Sequence, residues 1–101
     1  MFYAVTGNKP GMVYGIELKT GEKCLALFSG WTEAHFWRMA MGYDLQATDI
    51  LEMDTEGVLR LLKDYRATNF NRVCLDPAQG HVAHKSFEEA MDWIRRSKVA
   101  R

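Results

Sequence analysis

The sequence predicts a single α+β domain over residues 1–101, with a mixed, mainly antiparallel sheet of five or six strands and three helices. Two observations predict it. Three times an apolar, strand-like run ends in a polar cluster that starts a helix: Leu25-Ala26-Leu27-Phe28 into Ser29-Gly30-Trp31-Thr32-Glu33, Ile50-Leu51-Glu52-Met53 into Asp54-Thr55-Glu56, and Val82-Ala83 into Ser86-Phe87-Glu88-Glu89. The length and the 48% apolar content suit one core, since a chain of this size buries roughly two-thirds of its unfolded surface and halves of it would be too small to fold.

Phe2 to Thr6 is rich in aromatic and β-branched residues, as strands are. Lys9-Pro10-Gly11-Met12 fits a type II turn, Pro presetting φ and Gly accepting positive φ. Met12, Tyr14, Ile16 and Leu18 alternate with Val13, Gly15, Glu17 and Lys19, the period of a half-buried strand. Thr20-Gly21 closes a hairpin into Lys23 to Phe28, which is apolar on both faces and therefore central.

The first helix is expected to begin at Ser29 or Thr32, with Ser29 as its cap, and to stop at Gly42, a usual place for a left-handed residue. Phe36 with Ala40, and Trp37 with Met41, give it a wide apolar stripe, which predicts a helix clamped between the sheet and a second layer. Thr48 to Met53 is another strand, and Asp54 or Thr55 caps a second helix with Val58, Leu61, Leu62 and Tyr65 on one face. Arg72 to Leu75 returns as a strand, Asp76-Pro77-Ala78-Gln79-Gly80 turns, and His81 to His84 pairs back antiparallel. Ser86-Phe87-Glu88-Glu89 reads as a capping box. Beyond it, Phe87, Ala90, Met91 and Ile94 face the core, and Arg95, Arg96, Lys98 and Arg101 complement the carboxyl end of the helix dipole.

Thirteen basic and thirteen acidic residues cancel, so no global field gathers nucleic acid or an anionic membrane. The longest apolar runs are strand-sized, too short for a membrane span of about 20 residues. Met1 to Val5 reads as a strand, not a signal peptide, and the expected location is cytoplasmic.

Little in the residues points to chemistry. Cys24 and Cys74 sit inside apolar strands and are expected as buried, reduced thiols. His81 and His84, three apart on a strand, point to opposite faces and do not share a metal; no metal or cofactor is expected. Gly7, Gly11 and Gly15 do not open a helix, so there is no phosphate loop, and Phe28-Ser29-Gly30 lacks the glycine pair of a nucleophile elbow. Asp44, Asp49, Glu52, Asp54 and Glu56 are read as helix-start and surface carboxylates rather than an acid–base pair. The suggestive feature is aromatic. Trp31, His35, Phe36, Trp37 and Tyr43 crowd one helix and its exit, more than a single face buries, so part of that surface is expected in water, where Trp and Tyr mark contact sites.

Two stretches resemble known families. From Cys24 to Pro77, the strand running into Phe28-Ser29-Gly30-Trp31-Thr32-Glu33-Ala34, the second strand leading into a leucine-rich helix, and the strand closing on Asp76-Pro77 resemble the amino-terminal domain of the SseB family. That family usually shows Asn-Pro at the last pair and lacks the extra Gly30. The resemblance implies a small α+β binding or regulatory module. More locally, Phe2-Tyr3-Ala4-Val5, Gly7, Pro10-Gly11 and Tyr14, with Lys85-Ser86-Phe87, Glu89 and Ala90, resemble the two ends of the hybrid-binding domain found before ribonuclease H and in caulimovirus viroplasmins. There the resemblance implies contact with an RNA–DNA duplex through backbone amides, Lys85 and an aromatic.

The function expected from these features is a non-catalytic cytosolic interaction or regulatory module. Its binding residues are Trp31, His35, Trp37, Tyr43 and Lys85, and its partner is a protein or a second copy. Binding of an RNA–DNA hybrid is the alternative.

Overall fold

A computed structural model describes residues 1–7, 12–65, 70–77 and 84–99, with side chains of the last helix given to residue 96. The elements in chain order are β1 (Phe2–Thr6), β2 (Gly15–Glu17), β3 (Lys23–Leu27), α1 (Trp31–Ala40), β4 (Asp49–Met53), α2 (Thr55–Tyr65), β5 (Phe70–Leu75), β6 (His84–Ser86) and α3 (Phe87–Val99). This is the α+β architecture predicted, with six strands and three helices among the described residues.

The strands divide into two hydrogen-bonded sheets, β1-β4 and β2-β3-β5-β6, and every pairing is antiparallel except β3 with β5. The sheets are stitched together at β1. Tyr3 and Phe28 exchange backbone hydrogen bonds of 2.8 Å in both directions, and Tyr14 N–H donates to the Val5 carbonyl at 2.9 Å. That stitch explains why β2 is shorter than the alternation from Met12 to Leu18 predicts. Val13 bridges Thr6 of β1, and the chain joins β3 only from Gly15. Gly15 has a steric reason to be there: a Cβ on it would stand 2.0 Å from the Cys24 carbonyl oxygen and 2.7 Å from the Phe70 ring.

Side chains alternate between two cores, as the pleat requires. Ala4, Leu25, Leu27, Met53 and Val73 face one way and pack against Val58, Leu59 and Leu62 of α2 and Phe87, Ala90, Met91 and Ile94 of α3. Val5, Ala26 and Phe28 face the other way, against Ala34 and Trp37 of α1. The result is a helix–sheet–helix sandwich in which β3 is buried on both sides, as its unbroken apolar run foretells.

Helix starts follow local chemistry with one correction. Asp54 caps α2, its Oδ1 accepting from Gly57 N–H at 2.8 Å. Ser86 and Glu89 form the reciprocal box, Glu89 N–H to Ser86 Oγ at 3.2 Å and Ser86 N–H to Glu89 Oε1 at 3.3 Å. Ser29 is not a cap. The N-cap of α1 is Gly30, with no side-chain cap. Ser29 is held elsewhere, because Asp76 accepts both its N–H and its Oγ–H at 2.8 Å across the ends of the two parallel strands. Asp76 adopts φ of 48° to do this, a left-handed conformation that Asp tolerates better than most residues. At its other end α1 stops as predicted, with Gly42 left-handed at φ of 75°.

The strand expected from Arg72 begins at Phe70. Of the strand expected over His81 to His84, only His84 is among the described residues, and there β6 runs through Ser86 directly into α3. The expected turns at Lys9-Pro10-Gly11 and Ala78-Gln79-Gly80, residues His81 to Ala83, and Arg101 lie outside the described residues.

Candidate functional site

Helix α1 uses its apolar residues on both sides. Ala34 and Trp37 pack inward, yet Trp31 is 51% exposed, Phe36 64% and Met39 52%. At 100° per residue Trp31, His35 and Met39 form one outward stripe with Phe36 beside it. The sheet clamps α1 on one side only; among the described residues no second layer covers Phe36.

The five predicted binding residues separate into three environments. Trp31 and His35 stay together on the outward side, rings stacked with centroids 4.9 Å apart and planes 18° from parallel. Trp37 turns inward, buried against Phe28 at 5.4 Å and edge-on to Tyr43 at 5.7 Å, so it supports the surface rather than forming it. Tyr43 is half-buried and stacks on Tyr14 at 4.4 Å. Its burial, and to a smaller extent Tyr14, raises its phenol pKa. Lys85 stands apart. It pairs with Val73 in the β5–β6 register, and Val73 faces the α2/α3 core, so Lys85 lies on the side of the sheet away from α1.

A residue that sequence reasoning missed lies at the centre of this region. Arg38 is 8% exposed. Its Nη2 donates to His35 Nδ1 at 2.9 Å and its Nη1 to the Thr48 carbonyl at 3.3 Å, while Nε is buried with no partner among the described residues. Arginine only donates, so His35 accepts through an unprotonated Nδ1, which places the proton of a neutral ring on Nε2. The loop that presents Thr48 is ordered by its own chemistry: Asp44 Oδ1 accepts from Gln46 N–H at 2.9 Å, and the Asp44 carbonyl accepts from Thr48 Oγ1 at 2.7 Å. Helical spacing does not single it out, because Arg38 follows inward Ala34 by four residues but also follows exposed Trp31 by seven, nearly two full turns.

The thiols occupy the opposite kind of environment. Cys24 and Cys74 are both fully buried and free. Burial dominates and raises both thiol pKa values, against a smaller opposing pull from Arg72. A reactive thiolate needs the reverse setting. His84 Nδ1 accepts from Arg72 Nε, which places that imidazole beside a guanidinium. Among the described residues no group of three or more His, Cys, Asp or Glu gathers as metal ligands would, and no helix is long and apolar enough to cross a membrane.

No protein-family model matches this chain, and no curated protein matches it.

Proposed function

We propose that this chain is a non-catalytic protein-interaction module that works through the outward face of α1, with a second copy of itself as partner. The single observation that carries the reading is the exposure of Trp31, Phe36 and Met39 side by side on one helix. Large aromatic and sulfur-containing side chains left in water together have an unfavourable hydration that association removes, at roughly 25 cal/mol per Å² of apolar surface covered. A second copy meets little repulsion there, because Glu33 is the only acidic residue of α1 and the chain as a whole is neutral. A two-fold contact also presents the same aromatic residues to each other, an arrangement common in symmetric dimers.

The buried thiols argue against a cysteine nucleophile, since burial holds their protons more tightly than water does. The likeness to SseB-type binding modules points the same way. Sedimentation velocity over a range of about 5 to 500 μM tests the reading, a span that brackets weak self-association. The wild-type chain is expected to shift towards dimer mass with concentration, and Phe36→Glu to remain monomeric. A wild-type chain that stays monomeric throughout removes self-association, and no effect of Phe36→Glu on a dimer moves the contact away from α1.

A further inference from the structure

Arg38 is a buried cation with no carboxylate reaching it among the described residues. Its partners are a backbone carbonyl and a neutral ring nitrogen, with the carboxyl end of α1 contributing only partial negative charge. Removing a charge from water costs several kcal/mol, and an apolar isostere is often the more stable choice when no counter-charge is present. A guanidinium kept in such a place is therefore under-satisfied in a specific direction.

That direction is legible in the atoms. Nε and Nη2 carry the two parallel N–H bonds of the side-on fork, the edge that holds both oxygens of a carboxylate or two oxygens of a phosphate. Among the described residues Nε has no acceptor and Nη2 has only His35 Nδ1. One ring nitrogen thus stands where two oxygens fit. Meanwhile Nη1 is anchored separately on Thr48, so the guanidinium keeps its place when the fork changes partner. His35 is half-buried and stacks on exposed Trp31, so its way out lies towards solvent.

We propose that Arg38 is an oxyanion-binding residue and His35 its movable gate. The ligand is a carboxylate or phosphate group that takes the Nε/Nη2 fork when His35 swings outward, leaving Nη1 on the Thr48 carbonyl. The rearrangement is read at Trp31, whose stacking partner moves. Self-association through α1 can fail while this site stands, because the oxyanion is held by the buried Arg38 fork and needs no second copy.

The test uses nitrogen-15-labelled wild-type protein, titrated separately with sodium phosphate and sodium acetate, with sodium chloride at matched ionic strength as control. The Arg38 Nε–H and Trp31 indole N–H resonances are followed by NMR. Saturable movement of both is expected with at least one oxyanion and not with chloride. The tighter of the two tells whether the natural group is phosphate or carboxylate. Arg38→Lys, which retains charge without the fork, is expected to weaken binding at least tenfold. The proposal is overturned if neither oxyanion moves the Nε–H signal at about 50 mM, a range that reaches even very weak sites. It is also overturned if chloride moves the signal equally, or if a folded Arg38→Lys binds as wild type. Should Arg38→Lys fail to fold, the wild-type Nε–H shift decides alone.

Discussion

The two faces of the sheet are built by different rules. On the α2/α3 side, the apolar residues that helical spacing turns inward are packed, and Val58, Leu62, Ala90 and Ile94 are fully buried. On the α1 side, Val5, Ala26, Phe28, Ala34 and Trp37 make the buried cluster, while Trp31, Phe36 and Met39 stay in water and a charged Arg38 goes in. A helix that exchanges its apolar and charged residues in this way gives up packing for a surface. One face is closed by packing, and the other leaves large apolar side chains in water, the surface proposed above for contacts.

The sharpest way to break that division is Leu62→Ala, which opens a cavity in the closed core. It is expected to lower unfolding free energy by about 3 kcal/mol in urea titrations. A loss below about 1 kcal/mol would mean that the α2/α3 face is not the stabilising one. Next in size is Asp76→Ala. It removes two hydrogen bonds to Ser29 and leaves an alanine at positive φ, for about 2 kcal/mol, less whatever solvent already screens at this exposed junction. Asp76→Gly should cost less, because glycine accepts that φ.

A smaller effect is expected at the start of α3. The bonds from Ser86 hold the Glu89 carboxyl below its ordinary value of 4.5. A lowered folded-state value means that the unfolded chain binds the proton first, so this contribution is complete above about pH 5 and fades as pH falls through the folded-state value. Glu89→Gln should abolish that slope, and parallel acid-unfolding curves for the two proteins would count against it. Least of all, Phe36→Ser should change stability by under about 0.5 kcal/mol. A large loss would show that Phe36 is packed, and that the α1 face is a core after all.

Where the causes were local, the sequence was legible. Asp54 before α2 and the Ser86/Glu89 pair before α3 act within three residues of themselves, and both behave as their spacing predicts. Ser29 looked the same and is not, since its partner Asp76 lies 47 residues away and is brought near only by the parallel pairing of β3 with β5. Crowding predicts that part of the surface of Trp31, His35, Phe36, Trp37 and Tyr43 stays in water, but not that Trp31 and Phe36 supply it. Trp37 faced inward for a reason that counting rings could not supply, namely its place on the wheel beside Ala34. Arg38 is not legible in the sequence because a charged residue on a helix is ordinarily solvated, and its carbonyl partner Thr48 lies ten residues away on the following loop.

The buried pair Cys24 and Cys74 makes the central strands a clock. An alkylating reagent meets these sulfurs only when the layer covering the central strands opens, so the rate of labelling under native conditions times how often the middle of the molecule is uncovered. No foreign dye need be attached to follow it.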